Sequence, residues 1–436
     1  MKARTPDAHP FMLSRLSVTN YRALDFDPVA LSPLTVLYGV NGSGKTSALR
    51  AASFALGDIV RRIGPRTQPF QARLTPEDFC NRREQVHIVG TVRDGSQEVG
   101  IGLAWLLKDR QVWPMRLLGS SRDGVGLLPG VTVGSEAPQA ALARQYWNGI
   151  DTQTDLPVIC MYPVNRAADQ VPLRIRGSSE FGRTAGYKGA FSADRQFRTF
   201  FEWFRAMEDH ENERKVADRS YCDPQLDAVR TAVARMLPGC TNLRVQRKPA
   251  LRMVLTKLGR DLSIQQLSDG EKVLLSLAGD IAMRASIVNP HLADPLSSPG
   301  CILIDELDLH LHPQWQGHVI TALPAAFPCM QFLVATHSPI VVSHASSASV
   351  FEITDGRLHR SQVYGLQSAV VLRDYFGKEE RPREISDKLS ELGLQLARKQ
   401  WDAASTLLAQ LKRELGELDA DVIRARRILS VRKQPQ

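Results

Sequence analysis

Four short strings hold residue types suited to handling a polyphosphate. GVNGSGKT runs from Gly39 to Thr46, with Ser47 next in line. Glycines at 39, 42 and 44 let the loop's N–H groups curl around phosphate oxygens, and Asn41, Ser43 and Ser47 complete the phosphate-binding stretch. Lys45 would neutralise charge between the β- and γ-phosphates, and the Thr46 hydroxyl would face Mg²⁺. LIDELDLHLHP runs from Leu303 to Pro313. There Asp305 would hold Mg²⁺, and Glu306 would accept a proton from an attacking water. Neighbouring residues on a strand point to opposite sides, so the two carboxylates can divide these roles only where the strand ends. THSP, from Thr336 to Pro339, offers His337, whose imidazole can hydrogen-bond a γ-phosphate and report its presence. LSDGEK, from Leu267 to Lys272, puts Ser268 and Gly270 before a helix beginning near Glu271, which makes a second anion site.

One nucleotide does not need two γ-phosphate sites on one chain. A symmetric dimer does, with each copy's Gly-rich loop facing the other's LSDGEK loop. Ser268, Gly270 and Glu271 are therefore expected to touch nucleotide across a dimer, and Asp308 sits where a dimer contact could reach the partner's site. His310 and His312 have the HxH look of a metal site. No third ligand at suitable spacing accompanies them, so they read as a turn leading into the next helix.

These residues need elements to position them. Leu34 to Tyr38 reads as a short strand running straight into the Gly-rich loop, and the segment after Thr46 as a helix with one apolar face. Strand, Gly-rich turn and helix form the context that such a loop requires. CILIDE and QFLVAT read as buried strands carrying Asp305 and His337 at their ends. Asp355-Gly356 between two short strands reads as a hairpin. LSRLSVTNYRAL alternates as a strand does. About 220 residues separate Thr46 from Ser268 and contain no sustained heptads, which excludes a long coiled-coil arm. This stretch includes a buried strand, LPVICMYPV. It also includes a helix with Phe197, Phe200, Phe201, Phe204 and Met207 at helical spacing and an acidic end at Glu208, Asp209, Glu211 and Glu213. Another helix opens at Asp223-Pro224. Leucine stripes beyond Phe376 read as a helical hairpin with a basic end.

The formal net charge of +9 favours a polyanion such as nucleic acid, or solubility alone, with no dense Lys/Arg run to decide between them. Six scattered cysteines form no CxxC pair and read as free thiols in a reducing compartment. No apolar stretch reaches bilayer-spanning length and the N-terminus lacks an apolar signal core, so a cytoplasmic protein without a membrane partner is expected.

Taken together, the strings resemble the ATPase head of the ABC superfamily in its SMC/RecF-like branch. Gly39 to Thr46 resembles the Walker A motif, Leu303 to Glu306 Walker B, Leu267 to Glu271 the signature, Leu307-Asp308 the D-loop and His337 the switch histidine. NYRAL at Asn20 is similar to the strand opening of that branch. FFEWFRAMEDHENERK, QLSDGEK, IDELDLHLHP and ATHSP further resemble AAA_21-type ATPases of bacterial defence, including PtuA-like ATPases of Septu and retron systems. The resemblance implies an α/β fold: an ABC-type head (a P-loop NTPase sheet) with a compact, mainly helical insert and a C-terminal helical hairpin. The head's parts are expected at 1–115 and 251–376, the insert at 116–250 and the hairpin at 377–436. It also implies ATP with Mg²⁺, hydrolysis using Lys45, Glu306 and His337, and a homodimer or higher oligomer of heads sandwiching ATP. The implied partner is a separately encoded HNH-type nuclease or toxin, docking on the aromatic helix of the insert and on the hairpin. A RecF-like repair ATPase binding duplex DNA is the alternative. A built-in nuclease is disfavoured by the helical C-terminal stretch, and a transporter subunit by the DLHLHP and THSP strings. Gln68, Gln71 and the Asn165-Arg166 region compete for the family's Q-loop.

Overall fold

The computed structural model describes residues 11–63, 74–80, 83–115, 138–150, 153–164, 182–192, 196–346, 348–377 and 381–431. The three Q-loop candidates lie outside these residues. Two compact units divide the chain, Met1–Leu366 and Gln367–Gln436.

The first unit opens with strands β1 (Phe11–Tyr21) and β2 (Leu24–Ala30), then β3 (Leu34–Tyr38) and helix α1 (Lys45–Ile63). Strands β4 (Gln85–Asp94), β5 (Gln97–Lys108) and β6 (Gln111–Met115) precede α2 (Pro138–Asn148) and β7 (Val158–Tyr162). Helices α3 (Gln196–Ala217) and α4 (Pro224–Met236) lead to β8 (Cys240–Gln246), β9 (Arg252–Lys257) and β10 (Arg260–Ser263). Then come α5 (Asp269–Val288), β11 (Gly300–Ile304), α6 (Pro313–Ala326), β12 (Met330–Thr336), α7 (Pro339–His344), β13 (Ser349–Thr354) and β14 (Arg357–Ser361).

A six-stranded sheet in the order β14-β13-β3-β12-β11-β7 forms the centre. Its inner strands are parallel. β3, β7, β11 and β12 are buried at every position, as continuous apolar runs covered on both faces must be. Register brings Tyr38 beside Thr336, and Ile304 beside both Val334 and Tyr162. The Gly-rich loop, Asp305 and His337 therefore leave the same edge of the sheet, where ligands bind in open α/β sheets. The stretch expected as an insert supplies β7 to this central sheet and so is part of the first unit.

A second, antiparallel sheet, β2-β1-β4-β5-β6, packs on the other side of α1. Gly90 on β4 makes room for it: a Cβ there would lie 2.9 Å from both Ala55 and Leu13. Gln331 stitches the two sheets together from a fully buried position. Its amide accepts from Leu13 N–H at 2.8 Å, and donates to Leu13 C=O at 2.9 Å and to Ser32 C=O at 3.1 Å.

The aromatic stripe of α3 turns inward rather than out to a partner. Phe197, Phe200, Phe201, Trp203 and Phe204 are all buried, and Phe200 seats on α5 at Gly279, where a Cβ would come within 2.5 Å of its ring. The acidic end of α3 is equally occupied. Arg230 of α4 makes a forked pair with Glu211 at 3.0 and 3.1 Å, and Glu208 accepts from Val245 N–H at 3.1 Å. The expectation that this helix presents its aromatic stripe as a docking face is corrected: burial of those rings and pairing of Glu208, Asp209 and Glu211 hold the helix to α4, α5 and the β8 end. Asp223 caps α4, accepting from the Gln225 and Leu226 N–H groups.

The second unit holds α8 (Ser368–Asp374), α9 (Arg383–Ala397), α10 (Trp401–Leu415) and α11 (Ala420–Val431). The two leucine stripes meet as expected, and α11 joins them: Leu392, Ala404, Leu411, Val422 and Ala425 share one core. The hairpin is thus extended to three helices. Among the described residues no helix is long and apolar enough to cross a membrane.

Candidate nucleotide site

The loop after β3 takes its shape from its glycines. Gly39, Gly42 and Gly44 have φ of 152°, 81° and 107°, values that side chains disfavour. A Cβ at Gly39 would meet Ser43 Oγ at 2.8 Å and Ile353 O at 2.9 Å, and one at Gly44 would meet Leu24 at 2.8 Å. Around Gly42 the space is open, and Asn41 and Thr46 are exposed. The result is a tight curl with an open mouth at the start of α1, where the helix's unpaired N–H groups favour an anion.

Lys45 is buried, and its ammonium turns back over the loop. Nζ donates to Gly39 O at 3.0 Å and to Val40 O at 2.9 Å. Burial pulls its pKa down to about 8, against the opposing charges of Asp305, Glu306 and Asp308. Three carboxylates from the turn after β11 thus act on one ammonium from the loop after β3. Ser47, by contrast, is buried and its hydroxyl accepts from Arg22 Nη1 at 3.4 Å. Arg22 also pairs with Asp78 at 2.7 Å, which places a held cation beside the first turn of α1. No role for Arg22 follows from the motifs themselves. Its signal was the NYR string.

Asp305 sits at the tip of β11, 1% exposed, and its N–H donates to Tyr162 O of β7 at 2.8 Å. Glu306 follows with φ of 44°. A non-glycine residue in that region is strained, and the turn separates the two carboxylates where the strand ends. The Leu307 N–H bonds Ala335 O at 3.0 Å, which ties the turn to β12. Asp308 is spent within its own chain: Oδ1 accepts from the Thr336 hydroxyl and from His337 N–H at 3.1 Å. It therefore anchors the His337 turn. His310 takes φ of 63° and His312 caps α6, the structural turn expected of them.

Ser268 caps α5 in a reciprocal box with Glu271, the S-x-x-E arrangement that satisfies two helix N–H groups. The Ser268 hydroxyl donates to Glu271 Oε2 at 2.9 Å, and Lys257 pairs with Oε1 at 2.5 Å. Burial favours neutral Glu271, but these partners outweigh it and hold its carboxyl below the usual range. Glu271, 4% exposed, shapes the loop, and Lys257 is a partner that sequence reading missed. Gly270 packs on the turn after Asp308: a Cβ there would lie 2.8 Å from His310 O. LSDGEK and DLHLHP therefore touch within one chain.

Behind Asp305 lies a buried polar network. The Tyr162 hydroxyl and Arg284 Nε both donate to Asp280 Oδ2 at 2.7 Å, while Arg284 Nη1 reaches Gly186 O at 2.7 Å and Lys188 O at 3.1 Å. Burial and the Asp280 charge push Tyr162 well above the ordinary phenol range. Burial would lower Arg284, but Asp280 and Tyr162 more than offset it and the guanidinium stays charged. Arg183 donates to Val288 O at 2.7 Å and so caps the far end of α5.

The donor set fits a nucleoside triphosphate with Mg²⁺. It offers a curl of loop amides with an ammonium, a hydroxyl at Thr46 and a buried carboxylate at Asp305, the hard oxygen donors that this ion prefers.

The AAA_21 family, described as "AAA domain, putative AbiEii toxin, Type IV TA system", matches residues 179–343. The chain is 31% identical over 306 residues to the Retron Ec83 probable ATPase of Escherichia coli, covering 56% of each. It is 31% identical over 258 residues to the Retron Vc95 probable ATPase of Vibrio cholerae serotype O1 biovar El Tor, covering 48% of this chain and 50% of that one. The chain thus spans about half the length of these curated relatives. A Pyrococcus furiosus Smc head domain with an extended coiled coil, bound to the C-terminal domain of ScpA, aligns with a TM-score of 0.45 at 14% identity. The alignment covers 84% of this chain and 99% of that one.

Proposed function

We propose that this AAA_21-bearing chain is an ATPase whose site is completed by a second copy, and that the ATP-bound dimer or higher oligomer controls a separately encoded nuclease or toxin in anti-phage defence. The observation that carries the reading is the convergence on Lys45. A buried ammonium at the mouth of the loop feels the charges of Asp305, Glu306 and Asp308, which is where a γ-phosphate and its attacking water would lie. A triphosphate would offer Lys45 phosphate oxygens in place of the carbonyls of Gly39 and Val40. Thr46 and Asp305 would hold Mg²⁺, which would neutralise charge on the β- and γ-oxygens. Glu306 would take the proton of the attacking water as the γ-phosphorus–oxygen bond to ADP breaks, and His337 would bond the transferred phosphoryl group.

Ser268 and Gly270 are read as facing the nucleotide of the partner copy, with the helix N-terminus of α5 supplying charge stabilisation in trans. The defence role draws support from the retron names of the two relatives. An effector on another chain is the partner, docking on the helices of the Gln367–Gln436 unit, and the cytoplasm is the expected setting. The net charge of +9 favours one second reading, direct duplex DNA binding in a repair role. That reading expects affinity falling steeply with salt.

Glu306→Gln should bind ATP without hydrolysing it and shift to a dimer in size-exclusion chromatography with light scattering. No ATP-dependent shift in that variant refutes the shared site. Ser268→Arg should lose hydrolysis and keep nucleotide binding.

A further inference from the structure

Hydrolysis in the proposed site needs two turns held in register. One, Asp305 to Leu311, carries the base. The other, Thr336 to Ser338, carries His337. Beyond the Leu307 N–H bond to Ala335 O and the Asp308 clamp, one more side chain spans them: Gln316, on the first turn of α6. Its Nε2 donates to Leu311 O at 2.9 Å, and its Oε1 accepts from Ser338 Oγ at 2.7 Å.

The chemistry of the neighbours fixes this arrangement. Ser338 Oγ already accepts from the Ile340 and Val341 N–H groups at 3.1 and 3.2 Å, so its one proton must be donated. Leu311 O can only accept. A side chain bridging them must accept at one end and donate at the other, which a primary amide does and a carboxylate or an alkyl group does not. Leu311 is also where Gly270 rests, 3.3 Å from the Leu311 methyl for a Cβ built there. The amide therefore joins three parts of the site: the LSDGEK end of α5, the turn bearing Glu306 and the turn bearing His337.

We propose that Gln316 is a positioning residue for ATP hydrolysis, bridging the Leu311 carbonyl and the Ser338 hydroxyl so that Glu306 and His337 face the same γ-phosphate. The inference rests on the ATPase reading above. It touches neither the Gly-rich loop nor Lys45, so nucleotide binding and turnover should separate.

The test is steady-state hydrolysis of Mg·ATP by the full chain and its Gln316→Leu and Gln316→Glu variants, with nucleotide binding followed by a fluorescent ATP analogue. Displacement of about 1 Å at a reacting centre costs on the order of 100-fold. Gln316→Leu should accordingly lower kcat about 10- to 100-fold, with KM and analogue binding within about two-fold of the original. Gln316→Glu keeps the shape. Ionised, it faces Leu311 O with a second acceptor; protonated, it regains an O–H donor. Its activity relative to the original chain should rise as pH falls from 8 to 6, a profile that general loss of packing would not produce. Full kcat in Gln316→Leu, with Glu306→Gln inactive, overturns the inference while leaving the ATPase reading intact. A flat relative pH profile for Gln316→Glu also overturns it. An original chain with no hydrolysis at all overturns the ATPase reading and this inference together.

Discussion

Breaking the buried pair on α5 should be costly to the first unit. Asp280 and Arg284 lie one turn apart with side chains 0% and 3% exposed. Arg284→Met fills similar space but leaves the Asp280 carboxylate with the Tyr162 hydroxyl as its remaining donor. It also takes the guanidinium from Gly186 O and Lys188 O. Removing one partner of a buried pair costs about 3–5 kcal/mol, because the other charge stays desolvated, whereas replacing both with apolar groups is often close to neutral. Arg284→Met alone should therefore lose about 3–5 kcal/mol, and adding Asp280→Leu should recover at least about 2 kcal/mol of it. Urea titrations followed by far-UV circular dichroism measure both. A cost under about 1 kcal/mol for Arg284→Met, or additivity in the double variant, would refute the reasoning.

Gly279→Ala places a methyl 2.5 Å from the Phe200 ring and should cost about 1–3 kcal/mol, read as a lower thermal midpoint; a Phe200→Leu companion change should restore part of it. Gln331→Leu strands the Leu13 N–H and C=O in the core, and about 2–4 kcal/mol should be lost in a urea titration. Burial favours neutral Glu211, but hydrogen bonds from Arg230, the Asp223 N–H and Lys215 outweigh it and bring its pKa to about 2. That stability is present above the unfolded carboxyl's range and is lost as pH falls from about 4.5 towards 2. In Arg230→Met the acid-unfolding midpoint should accordingly move to higher pH.

Much of the site could be read from one chain because the chemistry demands contiguous residues. A phosphate curl needs its glycines and lysine within one turn, and Asp305 needs a strand directly before it. The apolar runs CILI and QFLVAT identified strands whose ends carry the motifs, and the parallel register put those ends side by side. What escaped was pairwise. Gln316 acts through Leu311 and Ser338, and Tyr162 holds Asp305 through a backbone carbonyl, so neither follows from its own neighbours in sequence. The Asp280–Arg284 pair did leave a trace: two charges four apart in VLLSLAGDIAMRASIV, a stretch with no other charged residue, are suited to pair with each other if buried. The α3 aromatics misled because helical spacing reports an apolar stripe and not what covers it. Here the cover is α5, reached through the gap at Gly279.

The place of β3 in the sheet bears on how the protein is made. Its strand neighbours are β12 and β13, which lie about 300 residues downstream. At about 5–20 residues per second of synthesis, the Gly-rich loop waits on the order of 15–60 s on the ribosome before the strands that flank it exist. During that interval LTVLY is an unpaired apolar strand, the kind of segment that invites wrong pairing or chaperone capture. The candidate nucleotide site thus cannot close before β12 and β13 have been made, and ATP bound there cannot template the folding of the segments that precede them.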